Sequence, residues 1–447
     1  MWDKFKKLTV VMLIAAFISG TVPESILPQA AYASAAVPQV QASAYVVMDA
    51  NSGDVLYKKS MNKKIYPAST VKLMTAIVAI ENTDLDKRVV FTKNMRKKVP
   101  SDASKLDLKP GTAYTVKQYL NMLLIGSDAD SAMALASGAG ISYNKFISLM
   151  NSTAKSYGMS KTSFDNPMGL DTGNGYNKMY TSAYDFAVMA RHAMSYELIR
   201  NIVAKSTYTV PARKGKPSFK VKNSNGFYST YKLKNKDYKI IGSKTGTTRA
   251  AGRVLIATAR DEEGHELICA YFGGNSSEAL YNGIEKLLDY TFKQYSNDNI
   301  TLAAGFWDTR FRSSEKVICK HATSGAIPMQ ANGKFSPGLV KNAASTTSII
   351  NGISELELEA GTEEALTVAG LAVAYYNSKG MEAGSEELTD KELDIISSLE
   401  NTGSFNISEQ KKIAGLYLSG AMANVQIKDV NHQITKEEAV LIADLLT

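Results

Sequence analysis

The chain has 447 residues, of which 45% are hydrophobic and 21% charged, a composition typical of a globular protein long enough for two or three domains. The formal net charge is +8, but no basic helix or aromatic stacking platform accompanies it, which argues against a nucleic-acid partner. Two cysteines, Cys269 and Cys319, are too few for a disulfide framework, and we interpret both as buried free thiols.

Residues 1–35 have the pattern of a secretory signal peptide. Three lysines precede the apolar run LTVVMLIAAFISG, and small residues after it offer cleavage sites behind Ala33 or Ala35. The apolar run is short for a membrane span, although an uncleaved anchor is the alternative. Either way, the sequence predicts an exported protein that is extracellular or lies in the cell wall, at the outer face of the cytoplasmic membrane.

The rest of the sequence divides into two bodies of opposite charge. Residues 36–300 contain more Lys and Arg than Asp and Glu, whereas residues 301–447 contain more Asp and Glu. Together with a Ser/Thr/Asn-rich, strand-poor segment from Ser336 to Ile350, this split predicts a first domain over 36–300, a linker or irregular segment over 301–350, and an acidic helical module over 351–447.

The first body begins with a predicted hairpin, ASAYVVMDANSGDVLYKKS, and most of its predicted helices follow. Beyond Lys239 the pattern changes to strands around a DEEG turn, and the run SSEALYNGIEKLLDYTFKQY then predicts a capped amphipathic helix. Strands at both ends of the body with helices between them indicate an α+β fold, with an antiparallel sheet flanked by helices.

The tail repeats a short unit three times, in LTDKELDIISSL, ISEQKKIAGLYL and ITKEEAVLIADLL. Each unit has a Ser or Thr cap followed by an apolar-periodic helix, so the simplest interpretation is three capped surface helices. The last unit and the residues before it are similar to a dockerin-like calcium loop, but only Asp429 and Asn431 match ligand positions. We therefore favour a helical module that binds a protein partner and no metal.

A lysine in an apolar segment marks the candidate site. In IYPASTVKLMTA, Lys72 follows Ser69 by three residues, so the two side chains share a face if the helix begins at Ser69. Burial would lower the pKa of Lys72 and allow it to act as a base for the Ser69 hydroxyl. The alternative is that Ser69 only caps the helix and Lys72 extends to water.

Two further segments carry polar residues of the same kind of chemistry. IGSKTGTTRAAG places Lys244, Thr245 and Gly246 at the end of a predicted strand, where a substrate backbone can lie along the edge. IGSDADSAMALA places Ser127 just before a helix. S-x-x-K, a central Ser motif and K-T-G together form a known serine acyl-transferase set.

At these sites, and in the segments NPMGLDTGNGYNKMYTSAYDFAVMAR and NSNG, residues 40–295 resemble the low-molecular-weight penicillin-binding proteins, the serine D-alanyl-D-alanine carboxypeptidases. The resemblance implies a transpeptidase-like fold that is shared with β-lactamases. It also implies that Ser69 is the nucleophile, that Lys72 is its base, and that Ser127 relays the proton to the leaving amine.

The resemblance also assigns the substrate contacts. Lys244 and Thr245 would hold the terminal carboxylate, and Gly246 would leave room for the substrate to approach. The backbone N–H groups of Ser69 and Thr247 would form the oxyanion hole. The implied reaction is hydrolysis of the terminal D-Ala–D-Ala bond of peptidoglycan stem peptides, with β-lactams as acylating inhibitors and with neither a metal nor an organic cofactor.

The sequence departs from the family pattern at two positions. Ala129 stands where the central motif usually has Asn, and Met179 stands where a His is usual. Because Asp128 or Asp130 would replace the lost amide only through a shifted turn, a catalytically impaired penicillin-binding or wall-binding pseudoenzyme is the alternative function. A β-lactamase is disfavoured, because Glu197 is the only Glu between Ser127 and Lys244 and belongs to a helical surface pattern.

Overall fold

The computed structural model describes residues 37–171, 178–213 and 217–296 and, beyond them, residues 300, 302–303, 310–311, 315–323, 349–351, 353–354, 366–379, 381, 383, 387–425, 427–429 and 432–446. The predicted signal peptide lies outside the described residues. Among the described helices, none combines the length and the apolar character that crossing a membrane requires.

The strands are β1 (Ala44–Asp49), β2 (Val55–Lys59), β3 (Arg88–Val90), β4 (Ala113–Thr115), β5 (Thr207–Val210), β6 (Phe219–Lys222), β7 (Tyr238–Thr248), β8 (Gly252–Asp261) and β9 (Glu266–Gly274). The helices of the first body are α1 (Lys72–Asn82), α2 (Lys93–Lys97), α3 (Val116–Ile125), α4 (Ala129–Gly138), α5 (Tyr143–Ser156), α6 (Ala183–Ala193), α7 (Glu197–Val203) and α8 (Ser277–Ser296). Those that follow are α9 (Glu315–Thr323), α10 (Val368–Ser378), α11 (Asp390–Ser398), α12 (Ile407–Leu418) and α13 (Lys436–Leu446).

The first body is built on a five-stranded antiparallel sheet in the order β2-β1-β9-β8-β7. The two ends of the body meet in it, because the β1–β2 hairpin pairs with β9. This confirms the predicted α+β fold with an antiparallel sheet. Strand β7 lies at one edge, so its outer side is available to an extended ligand.

Both faces of the sheet are covered, which explains why β1 is buried along its whole length. Alternate residues point to opposite faces. Val46 and Met48 join the core formed with the central helices, while Val47 and Cys269 join a second core under α8. Cys269 is a buried free thiol, as predicted. The thiol of Cys319 lies outside the described side chains.

The segment after α8 packs on the first body, although the sequence predicted a linker from residue 301. Ala303 N–H donates to Asp49 Oδ2 at 2.7 Å, and Arg310 Nη2 donates to Glu266 Oε2 at 2.6 Å. At the start of α9, Glu315 pairs with Arg191. The sequence pattern missed this because the partners are buried charges far away along the chain.

Glu266 explains why the segment packs on the first body. Its side chain is almost fully buried and is paired with Arg200, Arg310 and, at 3.9 Å, Arg260. Burial raises the pKa of Glu266, but the charges of Arg310 and Arg200 outweigh this and lower the pKa to about 2. A buried carboxylate needs such neutralising partners, and Arg310 is supplied from beyond residue 300.

The C-terminal module is mostly helical, as predicted, with a core of its own. Ile350, Leu371, Ile413 and Ile442 lie in that core, so the module includes residues on both sides of the predicted boundary at 351. The described core thus reaches one or two residues before the predicted start of the module.

Capping boxes begin three of the module's helices. Thr389 and Glu392 cap α11, and Thr435 and Glu438 cap α13. For the second unit, the sequence pattern suggested Ser408 as the cap, but Asn406 caps α12 together with Glu409. The hydroxyl of Ser408 donates instead to the carbonyl of Ala383. Reciprocal bonds of this kind satisfy backbone donors at the helix start.

Of the two dockerin-like positions, the structure describes Asp429. Asp429 accepts a hydrogen bond from Asn401 at 2.8 Å and bridges to the backbone of Glu400. Asn431 lies outside the described residues. Among the described residues, a cluster of three potential metal ligands occurs only in the β8–β9 turn, at Asp261, Glu263 and His265.

Candidate active site

The turn that carries Ser69 is a 3-10 helix, Ala68–Val71, and α1 begins only at Lys72. No side chain caps either helix start, so Ser69 is not an N-cap. Ala68 has a φ of +51°, an unusual backbone conformation for a residue with a side chain. The capping interpretation of Ser69 is therefore wrong, and its hydroxyl is left for other contacts.

Lys72 is buried and contacts Ser69 directly. Its side chain is 1% exposed, which excludes the alternative in which it extends to water. Lys72 Nζ lies 2.7 Å from Ser69 Oγ and donates to the carbonyl of Met168 at 3.0 Å. Burial lowers the pKa of Lys72 to about 7, and the negative charge of Asp128 only partly opposes this. Near neutral pH, a large fraction of Lys72 is an unprotonated base.

The carbonyl that orients Lys72 is fixed by Asn166. Asn166 Oδ1 accepts from the N–H groups of Met168 at 3.1 Å and Gly169 at 2.8 Å. Gly169 has a φ of +79°, and a Cβ there would lie 1.9 Å from the carbonyl oxygen of Ala68. The Asn-Pro-x-Gly segment thus holds the loop against the Ser69 turn. The sequence showed this segment but not its role.

Ser127 and Lys244 meet on the other side of the site. Lys244 Nζ donates to Ser127 Oγ and to the backbone carbonyl of Thr245, both at 2.9 Å. Lys244 is 1% exposed, and burial, followed by the charge of Lys72, lowers its pKa well below the usual value. The structure therefore places two buried lysines beside the two predicted hydroxyl groups.

Strand β7 packs on the Ser69 turn through Gly246. A Cβ at Gly246 would lie 2.9 Å from the Cβ of Ala68 and 3.0 Å from Ser69 N. The residue is thus small because the turn packs against it, whereas the sequence suggested only room for the substrate. This close packing brings the N–H of Ser69 next to the edge of β7, where Thr247 lies.

A cavity of about 270 Å³ opens at this edge and brings together the predicted residues Ser69, Ser127, Thr245, Gly246 and Thr247. It is also lined by residues that sequence reasoning missed: Ser104, Ser224, Arg253, Ser277 and Tyr281. Ser224 lies in the segment NSNG, and Ser277 and Tyr281 lie in the run that predicted the capped helix, but the sequence patterns assigned none of these residues a role in the site. The Ser224 hydroxyl lies 2.6 Å from Thr245 Oγ1.

Neither aspartate replaces the missing amide near Ala129. Asp128 caps α4 and also accepts from the N–H of Leu106 at 2.7 Å. Asp130 pairs with Arg96 at 2.7 Å, and burial and the charge of Asp128 raise its pKa to about 6. Among the hydrogen bonds of the described residues, none joins either carboxylate to Lys72. Both carboxylates hold the loop before α3 to the start of α4.

Two other sequence-based assignments have clear outcomes. Glu197 is exposed at the start of α7, as predicted from its helical pattern. Met179 is buried in the main core, with its side chain 2% exposed. Neither residue lines the cavity at Ser69.

The fold and the paired Ser–Lys contacts define the class of serine acyl-transferases. The D-alanyl-D-alanine carboxypeptidase family model matches residues 31–276. The chain belongs to this family, which confirms the resemblance derived from its motifs.

Individual relatives agree with the family match. D-alanyl-D-alanine carboxypeptidase DacF of Bacillus subtilis is 32% identical over 57% of this chain and 63% of its own length. DacA of Haemophilus influenzae is 30% identical over 60% of this chain and 66% of its own length. The chain thus spans slightly less than two thirds of each of these two relatives.

Solved structures match the same part of the chain. The DD-transpeptidase of Streptomyces K15 superposes with a TM-score of 0.52 at 30% identity and covers 58% of this chain and 100% of its own. The D-alanyl-D-alanine carboxypeptidase of Mycobacterium tuberculosis H37Rv gives 0.51 at 28% identity, with coverage of 58% and 94%. The transpeptidase-like fold predicted for residues 40–295 is confirmed.

Proposed function

We propose that this protein is an exported serine D,D-carboxypeptidase that removes the terminal D-alanine from peptidoglycan stem peptides. The observation that carries the proposal is the 2.7 Å contact between the buried Lys72 amine and the Ser69 hydroxyl. Burial supplies a base near neutral pH at the one hydroxyl that needs it. β-Lactams are the expected inhibitors, because they acylate the same nucleophile.

Acylation starts when Lys72 takes the proton of Ser69 and Ser69 Oγ forms a bond to the carbonyl carbon of the penultimate D-Ala. The oxyanion that results would accept hydrogen bonds from the N–H groups of Ser69 and Thr247. The close packing of Gly246 on the Ser69 turn supports this geometry. A substrate strand along the free edge of β7 would place its carbonyl there.

The C–N bond then breaks, and the leaving amine of the terminal D-Ala needs a proton. Ser127 is the group that we assign to this transfer. Ser127 would pass to the amine the proton that Lys72 took from Ser69, and its contact with Lys244 at 2.9 Å supports a hydroxyl held in place for this transfer. Water subsequently attacks the Ser69 ester and releases the shortened peptide.

Export and domain organisation follow from the sequence. Residues 1–35 would direct export, and the contacts of Ala303, Arg310 and Glu315 support a peptidase domain that extends beyond residue 300. The acidic module would bind a protein partner, in keeping with the exposed Leu393 and Leu418 on its helices.

The catalytically impaired alternative rests on Ala129 alone. The contacts of Ser69 with Lys72 and of Ser127 with Lys244 favour the enzyme instead. A slower acyl-transfer rate is compatible with both the missing amide and the assembled pair.

The test is D-Ala release from a stem pentapeptide by the full chain and by its Ser69→Ala variant. We expect the variant to lose about 10⁴-fold or more of the activity. Mass spectrometry of a penicillin-treated digest should locate the adduct on Ser69. An active Ser69→Ala protein, or an adduct on another residue, would show that the proposed nucleophile is wrong.

A further inference from the structure

One positively charged side chain that lines the cavity at Ser69 has no role in the mechanism above. Arg253 lies at the start of β8 and lines the cavity together with Ser69, Ser127 and Thr245. It is paired in register with Thr247 on β7, and directly opposed residues in an antiparallel pair extend to the same face of the sheet. The side chain of Arg253 therefore lies on the same wall as Thr247, beside the edge where a substrate would bind.

Arg253 has a buried donor without a partner. Its Nε has no hydrogen-bond partner in the described part of the chain. No carboxylate of a described residue forms an ion pair with it. An unpaired buried guanidinium nitrogen is costly, and a bound anion would satisfy it. A guanidinium binds a carboxylate through two parallel N–H donors, which a lysine does not offer.

The wall next to Arg253 also favours an anion. Ser277, the first residue of the long helix α8, lines the same cavity, as do Leu280 and Tyr281 from its next turn. The N-terminal end of a helix carries a partial positive charge and free N–H groups. This is independent of Arg253, and both act on the same part of the cavity.

Lys244, which the family resemblance assigns to the carboxylate, is already engaged. Its ammonium group donates to Ser127 Oγ and to the carbonyl of Thr245, so at most one proton remains for a ligand. It does not line the cavity, whereas Arg253 does. The contacts of Lys244 match a partner of Ser127 better than they match a carboxylate site.

We propose that Arg253, at the α8 end of the cavity, recognises the free carboxylate of the terminal D-alanine, and that Lys244 serves Ser127 instead. This inference rests on the proposed carboxypeptidase function. It assigns substrate selectivity to a residue to which the sequence motifs gave no role.

The experiment compares two substrates of the full-length protein, one acyl-D-Ala-D-Ala dipeptide with a free carboxylate and its terminal carboxamide. Arg253→Gln should lower kcat/KM for the free carboxylate by about 10- to 100-fold, mostly through KM, because a charge-assisted pair is lost. The carboxamide should be affected little, since it lacks the negative charge. Lys244→Ala should slow both substrates to a similar extent, through kcat.

Arg249→Gln is the matched control. Arg249 is an exposed residue of the β7–β8 turn that does not line the cavity, so its loss removes the same charge from the same hairpin. We expect the Arg249 variant to keep the wild-type ratio between the two substrates. A change of that ratio equal to the change in Arg253→Gln would indicate a long-range charge effect and overturn the assignment.

Arg253→Lys is a conservative second variant, in case Arg253→Gln fails to fold. Thermal unfolding shows whether each variant is folded. The lysine keeps the positive charge without the planar fork, so the folded variant should retain part of the preference for the free carboxylate. Equal losses on both substrates in the Arg253 variants would overturn the inference. If the wild-type protein released no D-Ala at all, the proposed function itself would be wrong, which separates the two failures.

Discussion

The first body and the C-terminal module treat charge in opposite ways. The first body buries Lys72, Lys244, Asp128 and Glu266 among others, whereas Ser354 is the one buried polar side chain among the described residues of 349–446. The charged residues of the module cap its helices at the surface. Because burying charge is costly, the first body must gain something from it.

Within the first body, two kinds of buried charge differ in their partners. Glu266 is neutralised by arginines, and its pKa falls to about 2. Lys72 and Lys244 contact hydroxyl and carbonyl groups, and burial lowers the pKa of each. A neutralised cluster connects segments of the chain, whereas an amine held without a carboxylate contact is ready to move protons. The first body thus contains two kinds of buried charge. The Glu266 cluster joins segments of the chain, and the amines of Lys72 and Lys244 are placed to transfer protons.

The largest expected effect comes from removing the amine of Lys72. Lys72→Met keeps a long apolar side chain in a buried site but removes the base. Penicillin acylation and D-Ala release should slow by about 10²–10⁴-fold, while thermal stability should not fall, because an amine without a carboxylate partner stabilises the fold little. Stopped-flow acylation and thermal unfolding would be measured on the same samples.

The pH dependence of acylation checks the same residue. Since the base acts unprotonated, the wild-type rate should rise with pH up to about 7 and level off above it. Lys63→Met, at an exposed position, is the control and should keep the wild-type profile. A Lys72→Met protein with near wild-type rates, or a rate that falls between pH 6 and 8, would contradict the assignment of Lys72 as the base.

Removing a charge from the Glu266 cluster should lower stability and leave the reaction rate nearly unchanged. Arg310→Met leaves Glu266 with Arg200 and the more distant Arg260, and breaks a contact to Asn51. We expect the first body to lose about 3 kcal/mol of unfolding free energy, with little change in the acylation rate of the folded protein. Denaturant unfolding gives the free energy.

Lys316→Met is the control for Arg310, because Lys316 is an exposed cation of α9.

Shortened proteins test the same contacts. A chain ending at residue 323 keeps Arg310 and should unfold at a higher temperature than one ending at 300. The sequence predicted that residues 36–300 fold and act alone. Equal stabilities of the two shortened chains would favour that simpler boundary.

The sequence was sufficient where chemistry is local. Ser69 and Lys72 are three residues apart, so helical geometry alone predicts their contact, and the K-T-G segment identifies β7. Arg253 was missed because it enters the cavity through its register with Thr247, a pairing between two strands that no motif encodes. Local spacing thus predicts contacts within one element, but not those between elements.

The sequence also did not predict contacts between buried polar groups that lie far apart along the chain. Arg310 looks like any surface cation until Glu266 is known to be buried. Asn166 looked like part of a family segment, yet its role is to aim the Met168 carbonyl at Lys72. In both cases the informative quantity is burial of a polar group, and periodicity alone does not predict it.

A smaller effect is expected where the site lacks a group that the family usually has. Ala129 is the buried first residue of α4, two residues after Ser127. Ala129→Asn would restore the amide that the family resemblance places beside the lysine base, and we expect acyl transfer to rise about tenfold, less than the usual loss when such a donor is removed. Ala129→Leu is the control, since it adds similar bulk without an amide. An unchanged or lower rate in the Asn variant would show that the alignment or the role of the amide is wrong.

The smallest expected effect lies in the module, whose surface caps should not influence the chemistry. Thr435 caps α13 by accepting from Glu438 N–H at 3.2 Å, while Glu438 accepts from Thr435 N–H at 2.8 Å. Thr435→Ala should lower the stability of the module by about 1 kcal/mol and leave D-Ala release unchanged. Because two bodies can unfold separately, the unfolding transitions must be resolved rather than fitted as one. Thr389→Ala, at the equivalent cap of α11, should have a similar effect. Helix α9 contacts α13 through Lys320 and Asp444, so the module has a route to the first body. If Thr435→Ala lowered D-Ala release at a temperature where the protein is still folded, the module would influence the catalytic site. The contrast between the two regions would then be incomplete.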